Sequence, residues 1–400
     1  MSRMVFRGGR VFDGTGTDPA PADVVVENGQ IVDVGSGLDG DESTDLAGRT
    51  IMPGLFDCHT HVTISHVDLW RVAQQPFSYV FYEAARNLAA TLRIGITSIR
   101  DAGGADLGIR QAVDDGLIAG PRMQISLIML SQTGGHGDDW YPSGAEIPLM
   151  IPHPGRPSGL VDGQDEIRHK VRELVRMGAD VIKVATSGGV LSPRDDPRHA
   201  HFRPAELETL VEEATAAGIF VMAHAQGGDG IKNAVRAGIR SIDHGIYLDD
   251  EAIELMKARG TWFVPTLVAP QGVIDAAEAG VPLPPAVVDK ARAVVEIHRS
   301  AFRHAVEAGV RIAMGTDSGV TPHGRNLREL ALMADGGMHP AAVLEATTRS
   351  AAQLLGVDGE RGTIEPGKLA DLVVVSGDPY DFTDLGERVE SVWKAGRQVA

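Results

Sequence analysis

The stretch Ile51-Met52-Pro53-Gly54-Leu55-Phe56-Asp57-Cys58-His59-Thr60-His61 decides how the rest of the chain is read. An apolar run ends in two histidines two residues apart. Side chains on a strand alternate between faces, so residues i and i+2 point the same way. On a strand, His59 and His61 present two imidazoles to one spot, and neutral imidazole is a common metal ligand that suits zinc. By itself His-x-His is weak evidence. What matters is whether further ligands follow with the rhythm of one fold.

Downstream, apolar strand-like segments alternate with amphipathic helical ones, the signature of β/α units around a parallel sheet. The candidate strands are 54–61, 95–101, 123–129, 180–186, 219–224, 240–244, 262–267 and 310–316. Eight is the number that a closed (β/α)8 barrel requires. Helices are expected over 165–177, 204–217, 286–307 and 340–355. Upstream, residues 4–53 read as short strands, with Asn28-Gly29 between two β-branched runs as a hairpin signal. The runs 368–375 and 389–399 are strand-like too. Neither end has enough apolar residues to stand alone. The expected architecture is α/β: a TIM-like (β/α)8 barrel over 54–361 and a small β-sandwich formed from both termini, 1–53 and 362–400.

Polar residues recur where the apolar strands end. Strand four carries Lys183 among β-branched neighbours, strand five ends at His224, strand six at His244 and strand eight at Asp317. A lone histidine is more often a hydrogen-bonded core residue, a lone lysine an ion-pair partner, and a lone aspartate a helix cap. With His61 at the end of strand one, five such residues at strand ends of one barrel point jointly to a metal site at the barrel mouth. Long connections follow at 131–163, 187–203 and 268–285, on the face where barrel active sites form.

Of the 400 residues, 43% are hydrophobic and 23% charged, an ordinary globular composition. The net charge of −17 argues against nucleic acid or an anionic membrane as partner. The one cysteine, Cys58, excludes an internal disulfide and fits a reducing compartment. Next to His59, it reads as a small packing residue on the opposite side of the strand. Residues 1–7 lack the apolar core of a secretory signal, and no apolar run reaches a membrane span. A cytoplasmic enzyme acting on a small molecule is expected, and a homo-oligomer is compatible with the composition.

His59-x-His61, Lys183, His224, His244 and Asp317 together resemble the amidohydrolase superfamily, as does Gly362-Thr363-Ile364-Glu365-Pro366-Gly367-Lys368-Leu369-Ala370-Asp371. Thr133-Gly134-Gly135-His136-Gly137, His224-Ala225-Gln226-Gly227 and Asp243-His244-Gly245 look like its Xaa-Pro dipeptidase and imidazolonepropionase-related branch. The resemblance implies two divalent metal ions, with zinc suited to the ligands. His59, His61 and Asp317 would hold one and His224 and His244 the other, with Lys183 bridging them as a carbamate derived from carbon dioxide. It implies hydroxide attack on an amide, with Asp317 carrying the proton to the leaving amine and His136 hydrogen-bonding the carbonyl oxygen. A solvated loop histidine is the plain alternative for His136.

The implied enzyme is a metal-dependent hydrolase of a dipeptide or N-acyl amino acid. A carbamate, urea or aryl-amide xenobiotic is the alternative substrate on the same centre. A deaminase or cyclic amide hydrolase ranks lower, because mononuclear deaminases place a glutamate where this chain has Gly227. A non-catalytic scaffold of the same fold ranks lower still, since all six ligand types are retained. Gln226 and Tyr247 follow two of the ligands and are candidate pocket residues, with Trp140 and Tyr141 from the long loop. His201 and Arg203, beside Arg198 and His199, can bind a substrate carboxylate or remain solvated. Gln226 stands where dipeptidase-like members often have an aromatic residue. Asp57 has no assigned role, and His298 and His304 read as ordinary packing or surface residues.

Overall fold

In a computed structural model, which describes residues 3–400, the central sheet is parallel and its strands are buried on both faces. Three strands pair in one run, Leu55–Thr60 with Ile96–Asp101 and that with Arg122–Ile125. Five pair in a second run, Met129–Leu130, Val181–Ala185, Phe220–Ala225, Ser241–His244 and Trp262–Val264. The expected strand 123–129 is thus two pieces, broken where Leu127 takes a left-handed φ of 67°. The runs meet where Asp180 N–H donates to Ile125 O at 2.8 Å.

The expected strand 310–316 is not a regular strand. It makes an isolated parallel bridge, Ile312 to Phe263, and Ser318 just beyond it bridges Thr60. Its backbone donates and accepts on both sides in turn: Phe263 N–H to Arg311 O, Ala313 N–H to Phe263 O, Cys58 N–H to Met314 O. Met314 N–H leaves the ladder for Ala346 O. The segment still joins the first and seventh strands and closes a TIM-barrel-like α/β arrangement.

The helices form for ordinary reasons. Gln164–Arg176 buries Ile167, Val171 and Leu174 on one face and has Asp165 and Glu166 in its first turn, where the helix dipole favours them. Pro204–Ala216 starts on proline, whose missing N–H costs nothing there. Pro285–Ala308 ends at Gly309, φ 74°. The expected helix 340–355 is two, Pro340–Ala346 and Arg349–Leu355, because Thr347 turns to the first strand and exchanges bonds with Phe56. The expected long loop 268–285 is a correction: Val268–Glu278 is helical. Pro270 sits in its first turn, and the buried Glu329 carboxyl accepts from the Leu267 and Val268 N–H groups at 2.8 Å each.

The termini build two further sheets. A four-stranded sheet runs Gln30–Gly35, Asp23–Glu27, Met4–Arg7, Glu42–Asp45, and its Asn28-Gly29 turn has φ 54° and 81°. A six-stranded sheet joins both chain ends, with Leu372–Ser376 antiparallel to Arg49–Pro53. Phe6, Val24, Ile51, Leu372 and Trp393 pack together between them, the Phe6 and Trp393 rings edge to face at 5.0 Å. Among the described residues no helix is long and apolar enough to cross a membrane.

Candidate metal centre

Parallel register sets the first layer of the site. Lys183 pairs with Met222, Ala185 with His224, and Ala225 with His244, so these side chains emerge at stepped heights on adjacent strands. At the strand ends the backbone leaves the β region. His244 and Asp317 take φ of 74° and 59°, a left-handed conformation that costs a non-glycine residue about 1–2 kcal/mol. Strain of this kind is characteristic of functional sites.

His59, His244 and Asp317 offer three ligand atoms within 4.8 Å of one another. Asp317 Oδ1 is 3.4 Å from His59 Nε2 and 3.2 Å from His61 Nε2. The His224 and His244 ring centroids are 4.5 Å apart, and those of His59 and His244 4.9 Å. Each histidine has one nitrogen bonded to protein. Nδ1 of His59 meets Asp243 Oδ2 at 2.8 Å, Nδ1 of His61 meets Gly103 O at 2.8 Å, Nδ1 of His244 meets Thr266 Oγ1 at 2.7 Å and Nε2 of His224 meets Gly188 O at 3.2 Å. That leaves a second nitrogen on each, the usual arrangement for a ring that holds a metal. Burial lowers His59 to about 4 and takes His224 and His244 well below the ordinary value, so all three are neutral donors. Burial alone would raise Asp317, but the surrounding histidines hold it far below the usual carboxylate range.

Lys183 is buried, and its Nζ has no hydrogen-bond partner. Its nearest carboxylate oxygen is Asp243 Oδ2 at 3.5 Å. Desolvation lowers it to about 8, against the pull of Asp243 and Asp317.

Sequence reasoning missed what stands behind this layer. Arg100 Nη2 lies 3.3 Å from both oxygens of Asp243, and Arg100 Nε donates to Cys58 O at 2.7 Å. Both side chains are buried, and Arg100 and Lys183 keep Asp243 ionised although burial opposes it. Opposite charges inside two apolar strands, Ile99-Arg100 and Ile242-Asp243, were the available signal. Asp57 acquires a role here. It accepts from His59 N–H, Thr316 N–H and Oγ1, and Asn326 Nδ2, tying the first strand to the segment that ends in Asp317. Cys58 is buried in a separate apolar cluster, away from the histidines. His298 is a packing residue, buried against the backbone of His244 and Pro265.

The loop residues divide. His136 joins the ligand group, its ring stacked on His224 at 4.1 Å. His201 and Gln226 are each 5% exposed and flank one segment: His201 N–H donates to Thr186 O and Gln226 N–H to Ser187 Oγ, both at 2.8 Å. His201 Nδ1 and Gln226 Oε1 have no partner. Tyr247 is half-buried, its N–H bonded to Gln226 O. Trp140 and Tyr141 lie around the Arg194 guanidinium, at 4.9 and 5.5 Å from their ring centres. Arg203 is not drawn in: it is exposed at the start of the Pro204–Ala216 helix, where its N–H donates to Glu206 Oε2.

Residues 50–399 match the Amidohydrolase family. The chain belongs to that family. An ochratoxinase of Aspergillus niger is 35% identical over 98% of this amidohydrolase and 86% of its own length. Among solved structures, a Xaa-Pro dipeptidase with methionine bound in its active site superposes with a TM-score of 0.90 at 32% identity, covering all of both chains. A prolidase complexed with N-methylphosphonate-L-proline gives 0.91 at 36% identity, over 99% of each chain. The protein is thus an enzyme that hydrolyses carbon–nitrogen bonds.

Proposed function

We propose that this amidohydrolase cleaves the amide bond of a dipeptide or N-acyl amino acid on a centre of two divalent metal ions. The observation that carries the reading is Lys183 Nζ, buried and without a hydrogen-bond partner among four histidines and Asp317. An ammonium is a poor occupant of such a position. An amine lowered to about 8 has an appreciable neutral fraction. In that form Nζ can add to carbon dioxide and lose a proton, giving a carbamate whose single negative charge is shared by two oxygens and would suit a place beside two cations. His59, His61 and Asp317 would hold one ion, His224 and His244 the other, and zinc suits these donors. Bound there, the ions supply an acidified water and polarise the substrate carbonyl.

The chain's own residues do the rest. Asp317 Oδ1 faces the histidines, leaving Oδ2 to take a proton from the attacking water and return it to the leaving amine. His136 meets the carbonyl oxygen as charge develops on it. The unpaired Gln226 Oε1 accepts and suits an N–H of the substrate, and His201 Nδ1, when it carries the proton, suits a carboxylate oxygen. Tyr247, Trp140 and Tyr141 shape the mouth. The peptide and amide hydrolases among the relatives support this choice of substrate. The terminal sheets are read as one composite β-sandwich, 1–53 and 362–400, set against a barrel over 54–361. The cytoplasm remains the proposed compartment, with a small-molecule substrate, no nucleic-acid or membrane partner, and self-association compatible.

The test is a panel of N-acyl amino acids, dipeptides and carbamates, given to enzyme of measured metal content with bicarbonate present. Turnover of the amino-acid amides is expected at close to two ions per chain. Full activity with at most one ion removes the paired centre; turnover of carbamates alone removes the amino-acid substrate.

A further inference from the structure

The His136 ring is held on three sides. One face stacks on His224, the planes 20° apart. The ring also lies so close to Gly189 that a Cβ there would come within 2.1 Å of His136 Cε1. The third side is a relay: His136 Nδ1 meets Ser192 Oγ at 2.7 Å, and Ser192 Oγ makes a short bond to Asp195 Oδ1. Asp195 Oδ2 accepts from Gly189 N–H at 3.0 Å and lies 3.5 Å from His136 Nδ1.

The direction of the relay follows from donor counting. A carboxylate only accepts, so the single hydroxyl proton of Ser192 goes to Asp195. Ser192 Oγ is then the acceptor, and His136 Nδ1 carries the donated proton. Nε2 is the nitrogen left to face the site. Burial alone would raise Asp195, but its bonds from His136 and Ser192 hold it at about 2. From the long helix, Lys290 Nζ donates to Gly189 O at 2.6 Å, to Ser192 O, and to Asp195 O and Oδ1 at 3.1 and 3.3 Å.

We propose that Asp195, acting through the Ser192 hydroxyl, is the positioning residue of His136, and that Lys290 fixes the loop that carries both. The inference deepens the reading of His136 as the group at the substrate carbonyl and rests on it. The relay orders the ring as an Nδ1–H tautomer with Nε2 inward. To donate to a carbonyl oxygen the ring carries a proton on Nε2 as well, and the relay leaves that nitrogen unengaged on the Ser192 side.

The experiment compares Asp195→Asn, Ser192→Ala, Gly189→Ala and Asp195→Glu with the full-length metal-loaded enzyme. Three quantities are read: kcat and KM on an N-acyl amino acid, metal content, and the ring ¹⁵N resonances of labelled histidine, assigned with His136→Gln. Asp195→Asn and Ser192→Ala are expected to lower kcat by about 10- to 100-fold, the usual range for a partner that orients a functional histidine. KM and metal content stay near wild type, and the His136 Nδ1–H signal shifts or is lost. Gly189→Ala lowers kcat by pushing the ring aside, and Asp195→Glu restores part of the Nδ1 signal. Ser192→Ala removes one oxygen atom, so it tests the relay even if Asp195→Asn does not fold. Unchanged Nδ1 resonances in Ser192→Ala overturn the proposal, as does a rise in KM with kcat intact. If wild-type enzyme hydrolyses no amide, the substrate reading fails, and the resonances still decide whether the relay exists.

Discussion

Two regions at one end of the barrel hold functional groups by different physics. The strand-end cluster of Lys183, His224 and His244 is placed by the backbone ladder, and His59 beside it by the Thr316 and Asp317 N–H groups that donate to its carbonyl. Its register is fixed by hydrogen bonds between neighbouring strands and by apolar neighbours with no other face to turn to. The loop cluster of His136, Ser192, Asp195 and Lys290 comes from three distant parts of the chain and is held by bonds between side chains and by bonds of Lys290 to backbone. The difference teaches where tolerance lies. A strand-end donor cannot move without its strand, whereas a loop donor is as well placed as its few supporting bonds. Loss of a group should be severe in the first region and graded in the second.

Lys183→Ala is the strongest test of that contrast. It deletes the one amine among the buried candidate metal-donor side chains, and with it the group proposed to form a carbamate. We expect kcat/KM to fall on the order of 10³-fold or more, the scale of losing a principal electrostatic element of a site. Metal content should fall with it, measured by elemental analysis of the purified variant. Asp243 then keeps Arg100 and His59 as partners, so the fold should survive. An active variant with full metal content would show that register alone places the ions.

A second test concerns what stiffens the strand-end side. Glu329 is buried, and desolvation raises it from 4.5 to about 8, against the two N–H groups it accepts. Between those values the folded protein binds the extra proton. Stability from this group is therefore full at low pH and is lost as pH rises toward about 8, by at most about 1.4 kcal/mol per pH unit. Glu329→Gln removes the titration. The melting temperature of wild type should fall more steeply across this range than that of the variant. Parallel curves would mean that Glu329 is ionised in the folded protein and that its two N–H bonds outweigh burial.

How much was legible follows the same division. The six candidate ligand positions stand out in the sequence because strand ends interrupt apolar runs, and a period of two marks which side chains share a face. Lys183 and His244 are visible on that ground alone. The eighth strand was legible as an apolar run but not as an irregular one, since nothing in Val310–Asp317 says that its bonds alternate between two neighbours and Ala346. The helix Val268–Glu278 was hidden by Pro270 and by a capping group, Glu329, some sixty residues away. Asp195 was passed over because its partners, His136 and Lys290, lie far from it in the chain. Arg203 misled in the opposite sense, as a charge in a promising loop whose side chain is exposed and whose backbone N–H serves a helix start.

The smallest effect expected is at the tip of the loop region. Arg194 lies over Trp140 and against Tyr141, joining the 187–203 connection to the 131–163 connection above the barrel mouth. Trp140 is 46% exposed, so the contact belongs to the weak class of cation–π pairs, about 0.5–1 kcal/mol. Arg194 is two residues from Ser192 and adjacent to Asp195, yet its guanidinium takes no part in the bonds that hold His136. Arg194→Ala should therefore raise KM for substrates bulky enough to touch both loops by about 2- to 5-fold, the same energy expressed as affinity. Its kcat should remain unchanged, measured on a short and a bulky amide side by side. A fall in kcat like that of Ser192→Ala would show that closing the mouth and orienting His136 are one event, because the loop could then not hold its histidine without the aromatic contact outside it.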